Sequence, residues 1–214
     1  ASILWETNNT SNAIEQGSVL TSATLDGDYV ILSVPFDSKG GNALVAVKDA
    51  EGTILWSWHI WVTDYDPMAT ALIYPSGAKM MDRNLGALST DTEDVLSFGL
   101  MYQWGRKDPF VGSGNKTNTR ASVSPQDAIT YVESSDQYNN FNYTVANPTV
   151  FINSSTWNHT NKEITWWKGE EKTPYDPCPV GWRVPEGGQE TNRGAWAYLS
   201  ENNTIRYPYA GMIN

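Results

Sequence analysis

Ile54-Leu55-Trp56-Ser57-Trp58-His59-Ile60-Trp61-Val62 alternates with a period of two, so that Ile54, Trp56, Trp58, Ile60 and Val62 share one face of an extended strand and Leu55, Ser57, His59 and Trp61 the other. Bulky apolar groups occupy both faces. A strand with one wet side would show polar residues there, so both faces of this one are expected to be covered, the second by whatever follows in the chain. Upstream, β-branched and aromatic runs at residues 3–6, 18–24, 29–34 and 42–48 read as further strands. Asp26-Gly27-Asp28, Lys39-Gly40-Gly41-Asn42 and Asp49-Ala50-Glu51-Gly52 separate them with residues that tolerate the positive φ of tight hairpin turns. Residues 1–66 are therefore expected to form an antiparallel β-sandwich-like domain.

Past residue 66 the pattern changes to short segments between long polar stretches. Residues 79–83 are strand-like, and residues 95–104 leave helix and irregular structure open. Ser124-Pro125-Gln126-Asp127 carries an N-cap, a proline at the first helical position and an acidic first turn, which predicts a helix to about Ser134. A second helix is expected over residues 193–200. Residues 137–161, rich in Asn, Ser, Thr and Tyr, lack periodicity and read as a long loop ordered by its aromatics. The fold class that results is α+β and β-rich.

Composition narrows the function. With 24 acidic against 14 basic residues and a formal charge of -10, the chain repels phosphate backbones, so nucleic acid is not an expected partner. No apolar run approaches the roughly 20 residues of a transmembrane helix. Ten Trp, 11 Tyr and 5 Phe supply large apolar area, much of it with a polar tip, suited to cores and recognition surfaces alike. Low Lys with abundant Asn, Thr, Ser and Gly is the composition of a secreted bacterial β-rich protein. In that setting the lone Cys178 is either inert in a core or a disulfide half.

Three strings carry a resemblance: Met81-Asp82-Arg83-Asn84-Leu85-Gly86-Ala87, Gly99-Leu100-Met101-Tyr102-Gln103-Trp104-Gly105-Arg106-Lys107-Asp108-Pro109-Phe110 and Asp176-Pro177-Cys178-Pro179-Val180-Gly181-Trp182-Arg183-Val184-Pro185. They resemble the Fibrobacter succinogenes major paralogous domain, FISUMP. Residues 41–63 also look like the segment that precedes this domain in surface lipoproteins and fimbrillin-like, pilus-associated proteins of Bacteroidales. The resemblance implies a C-type-lectin-like domain over residues 67–214, packed on the N-terminal sandwich. Family members continue past a segment like Tyr207-Pro208-Tyr209-Ala210-Gly211 into a half that ends on a second cysteine. It follows from the resemblance that the C-terminal part of the domain is missing here and that the disulfide partner of Cys178 is absent from this chain.

Chemistry is sparse by comparison. Two histidines, His59 and His159, and no Gly-x-Ser-x-Gly turn argue against nucleophilic catalysis, and His59 in its Trp-flanked strand suits a packed role. Glycoside hydrolysis would need two facing carboxylates, for which Asp64 with Asp66, Asp91 with Glu93 and Asp94, and Glu170 with Glu171 are the candidates. Clusters so close in sequence are usually solvated loops. The same acids could contribute oxygen ligands to Ca2+, but no EF-hand or calcium-lectin triplet is present, and no cofactor is expected. Asp82-Arg83-Asn84 and Arg106 with Asp108 read as buried networks that pin loops, because buried charges persist only when paired. Binding points to Trp157, Trp166 and Trp167, with Tyr143 and Asn158 beside them, since sugar rings stack on indole faces while amides take the hydroxyls. The expected protein is non-enzymatic, extracellular and surface- or fimbria-associated, acting in adhesion. Its partners would be host or microbial glycans or surface proteins, or other pilus subunits. A purely structural pilin-like subunit and, behind it, a polysaccharide-acting enzyme are the alternatives.

Overall fold

The run Asn42-Ala43-Leu44-Val45-Ala46 is buried throughout, and a strand buried on both faces has to lie in the middle of a sheet. In the computed structural model, which describes residues 1–8, 16–73, 77, 79–111, 129–153, 167 and 171–184, it does. The first five strands are β1 (Ser2–Thr7), β2 (Ser22–Asp26), β3 (Tyr29–Ser33), β4 (Gly41–Lys48) and β5 (Ile54–Val62). β4 is the centre of a three-stranded antiparallel sheet in the order β1-β4-β5. The register sets Leu44 opposite His59 and Ala43 opposite Ile60 on one side, and Trp5 opposite Leu44 and Glu6 opposite Ala43 on the other.

Period two then sorts the side chains. On one face Ala43 and Val45 meet Val19 and Leu20, with Ile3, Ala23, Val30, Leu32, Ile60 and Val62 packed around them. This is the β2–β3 hairpin laid over the sheet, its turn made by Gly27 at φ 56. On the other face Trp5 and Leu44 join Leu100, Met101, Phe110, Val111 and Ile129 in a second core. Each fully buried Leu or Val contributes about 1.5–3 kcal/mol. The sheet is thus roofed by its own hairpin on one side and floored by Leu100, Met101, Phe110, Val111 and Ile129 on the other.

Glu6 makes the roof specific. Fully buried on β1, it accepts the backbone N–H groups of Ser18 (2.9 Å) and Val19 (3.3 Å) on Oε2 and of Leu20 (2.7 Å) on Oε1. Charge-assisted bonds of this kind are about twice as strong as neutral ones and fix where the chain enters the hairpin. Gly41 is the steric counterpart. A Cβ there would lie 2.6 Å from Val19 Cγ2 and 2.7 Å from the Thr7 carbonyl oxygen, so only glycine allows the three segments to approach.

The later residues form smaller units: β6 (Leu72–Ile73) with β7 (Lys79–Met80), a single 3-10 turn at Val95–Ser97, β8 (Met101–Tyr102) with β9 (Pro109–Phe110), and β10 (Thr130–Glu133), α1 (Phe141–Ala146) and β11 (Val150–Asn153). β10 and β11 pair in parallel across α1. Two expectations are corrected here. The helix expected to reach Ser134 is strand over residues 130–133, where Thr-Tyr-Val-Glu favours an extended chain whatever precedes it. The loop expected over residues 137–161 contains α1 and β11. Asn140, one of the Asn residues that suggested loop, is the helix N-cap, its side chain accepting the Tyr143 N–H at 2.8 Å. The N-terminal part of the first expected helix, the helix over residues 193–200 and the C-terminal Tyr207 segment lie outside the described residues. The described chain is β-rich with small sheets and few helices, in keeping with a β-rich α+β class, and no helix in it is long and apolar enough to cross a membrane.

Replacing Glu6 with Ala would leave buried N–H donors without an acceptor. The expected loss in urea unfolding is about 3–5 kcal/mol, with Glu6→Gln, which keeps one acceptor oxygen, losing roughly half of that.

Candidate functional site

The first two motif strings meet the sheet at Asn42 and Leu44. Gly99, at φ 70, turns the chain so closely that a Cβ would sit 2.5 Å from the Leu85 carbonyl oxygen, which accepts the Leu100 N–H at 2.9 Å. Asn84 donates its amide to the Phe98 carbonyl at 3.0 Å. The first two strings therefore dock on each other.

A polar relay ties them to the sheet. Asn42 Nδ2 donates to the Gly86 carbonyl (2.9 Å), leaving Oδ1 to accept from His59 Nε2 (2.9 Å), while His59 Nδ1 lies 3.1 Å from the Tyr102 hydroxyl. These roles require a neutral imidazole protonated on Nε2, with Tyr102 as donor. Burial of the ring draws its pKa from 6.5 to about 4. Both ring nitrogens of His59 are thus engaged in holding β5 to β4 and to Tyr102.

The charged residues of the second string are used up in the same way. Ser57, 1 % exposed, donates to Asp108 Oδ1 at 2.7 Å. Lys107 Nζ reaches Asp108 Oδ1 at 2.7 Å and Oδ2 at 2.9 Å, bonds the Ser57 carbonyl and hydroxyl, and lies 4.5 Å above the Trp56 ring. A serine beside a lysine invites a nucleophile-and-base reading, but the lysine is ion-paired and the hydroxyl is sealed from substrate. Arg106 and Asp108 are buried as expected, yet they bond different groups. Asp108 takes Lys107, whereas Arg106 sends its terminal nitrogens to Gln103 Oε1 and to the carbonyls of Thr144, Asn147, Pro148 and Val150. One guanidinium thereby fixes the whole α1–β11 turn, and burial lowers its pKa to about 10.

The third string wraps around Asp176. Its Oδ1 accepts from Lys172 Nζ and from the Cys178 N–H, both at 2.9 Å, and its Oδ2 from the Val184 N–H at 2.7 Å. Cys178 is a free thiol, and burial with Asp176 nearby pushes its pKa up to about 12, so it is a poor nucleophile. The acid clusters are occupied in turns: Asp66 accepts from the Met68 N–H, Asp91 from the Glu93 N–H and Asp94 from the Leu96 N–H. Among the described residues no group of three or more His, Cys, Asp or Glu side chains is placed to hold a metal ion.

Beside these buried networks lies an aromatic cluster that reaches solvent. Trp167 packs with Tyr138, Phe141, Tyr143 and Tyr175 around the buried Ile152, and its indole N–H donates to the Tyr175 carbonyl at 3.1 Å. Against its ring, edge-on at 5.1 Å and 64°, stands Trp104, which is 57 % exposed. Of the residues expected to bind, Trp167 and Tyr143 meet in this cluster, with Tyr143 paired to Tyr138 at 4.9 Å. Trp157, Asn158 and Trp166 lie outside the described residues. Trp104 was hidden inside a motif string that reads as fold architecture. Its signal is its place beside Gly105, which turns at φ 81, between the buried Gln103 and the buried run from Arg106.

No protein-family model, curated protein or solved structure matches this chain.

The His59 relay predicts a pH dependence of stability. A ring that resists protonation in the folded state, while titrating at 6.5 when unfolded, adds stability that is full above pH 6.5 and lost as pH falls towards 4. Unfolding curves of wild type and His59→Gln across this range should differ by up to about 3 kcal/mol in their pH-dependent loss.

Proposed function

We propose that this chain is a non-enzymatic adhesion module of a bacterial surface or fimbrium that binds glycans through the aromatic ridge of Trp104 and Trp167. The observation that carries the reading is Trp104 itself, more than half exposed yet braced by an indole that is in turn locked to the Tyr175 carbonyl. A rigid, exposed indole suits an apolar sugar face, because little side-chain freedom is lost when the ligand stacks. Tyr138 and Tyr143 lie in the neighbouring segment and add further rings beside the ridge. The absence of reach between the buried Ser57, Lys107 and any substrate supports binding over turnover. The three motif strings, with their resemblance to FISUMP domains, support export, a lectin-like domain over residues 67–214 and a surface setting.

A second reading, a structural pilus subunit, has its own support. The β2–β3 hairpin exposes Tyr29 (74 %) and Ile31, and the segment that follows it exposes Val34 and Phe36 (107 %), bulky apolar groups suited to protein contact.

Affinity electrophoresis through gels containing plant and microbial polysaccharides, followed by a glycan array, tests the first reading. Trp104→Ala is expected to weaken binding roughly 5- to 30-fold, the equivalent of about 1–2 kcal/mol of stacking, with little change in melting temperature. No binding by the wild type to any glycan would discard the lectin reading and leave the subunit reading standing.

A further inference from the structure

Among the described residues β3 is paired on one side only, with β2 in a two-stranded sheet. Gly27 and Asp28 form the two-residue turn between them, and the pair that closes such a turn, Asp26 with Tyr29, exchanges both of its backbone bonds. Bonded and non-bonded pairs then alternate, so Thr24 with Ile31 and Ser22 with Ser33 are bonded in turn. The Ser33 carbonyl accordingly faces β2, and takes the Thr21 N–H as well, at 2.8 Å. Val30 and Leu32 are left with their N–H and C=O groups turned outward along an open edge. Such edges are usually blunted by lysine, an inward charge or a bulge. Here the segment Tyr29-Val30-Ile31-Leu32-Ser33-Val34-Pro35-Phe36 has no charged residue, and Tyr29, Ile31, Val34 and Phe36 are exposed.

We propose that this edge pairs with the same edge of a second copy of the chain, the two β3 strands running antiparallel about a two-fold axis at Ile31. Val30 then faces the partner's Leu32, and Leu32 the partner's Val30, each pair exchanging both bonds, while Ile31 meets the partner's Ile31 as a close non-bonded pair. The row of open groups is its own complement. Charge favours this arrangement over others. Each copy carries a net charge of -10, so copies repel except where a neutral surface meets another. Antiparallel pairing sends the acidic tips, Asp26 and Asp28, to opposite ends, each beside the uncharged 33–36 stretch of the other copy, whereas parallel pairing would set the tips side by side. A contact of this one short segment falls well below the roughly 20–30 residues a side of a stable interface, so the dimer is a reversible one. The inference builds on the exposed hairpin of the subunit reading and names its partner; glycan binding at Trp104 is measured separately.

Sedimentation equilibrium of the full chain is expected to show a monomer–dimer equilibrium with a Kd on the order of 10–100 µM, tightening as salt screens the repulsion between copies. Ile31→Lys sets two ammonium groups across the axis and should weaken the dimer at least about 10-fold, with the melting temperature nearly unchanged because Ile31 is 48 % exposed. Ile31→Cys places two thiols on a close antiparallel pair, with Cα atoms about 4.5 Å apart, and should cross-link to its own copy under mild oxidation, the bond mapped by peptide mass. Thr24→Cys, about 14 Å from its counterpart, should not. Should Ile31→Lys fail to fold, the cross-links decide alone. A wild type that stays monomeric up to about 1 mM overturns the inference and leaves the subunit reading to a different partner. A dimer that Ile31→Lys leaves intact, or that cross-links no better through Ile31→Cys than through Thr24→Cys, uses another face and overturns it too.

Discussion

Asn42 is fully buried on the central strand, and a carboxamide there has to satisfy both its donor and its acceptor inside the protein. Its donor goes to the Gly86 carbonyl and its acceptor to His59, so one side chain joins β4, β5 and the first motif string. His59 passes the constraint on to Tyr102 and the second string. Because an unpaired buried polar group costs about 1–3 kcal/mol, these segments can pack under the sheet in one arrangement only. Hydrophobic burial of Leu44, Trp5 and Phe110 supplies the attraction, but attraction of that kind is non-directional. The relay is what sets the register.

The charged motif residues repeat the arrangement at larger scale. Lys107 and Asp108 clamp the floor to Ser57 of β5, Arg106 clamps it to the α1–β11 turn, and Asp176 gathers its own loop. Each of these groups would be conspicuous in a search for catalysis, being charged, buried and close to others. Each is instead consumed by the fold. Trp104, by contrast, is a large ring that the fold leaves more than half exposed.

Legibility in the sequence followed the range of the interactions involved. The strands of the first 62 residues were readable because period two and glycine-rich turns are local signals, and β1 to β5 lie within a few residues of where the alternation places them. α1 was not readable, since six residues span too few turns to show a helical period and its cap is an Asn in an Asn-rich run. β10 was misread for a related reason: a good N-cap signal at Ser124 says nothing about residues 130–133, whose parallel partner β11 is about 20 positions away. At the candidate site, Trp167 was legible as an aromatic beside polar sequence. Trp104 was not, because exposure of one residue in a buried run is set by a turn and not by composition.

The arrangement of the sheet has a consequence for how the chain is made. β1, β4 and β5, with their hairpin roof, are complete by Val62, while the side chains packed on Leu44 and Trp5 come from residues 100–111 and from Ile129. At translation speeds of about 5–20 residues per second, the nascent sheet spends several seconds with one apolar face bare. Trp5 and Leu44 are then a sticky surface on an otherwise finished structure. In a chain with this order of assembly, that face stays open until its own second core is delivered.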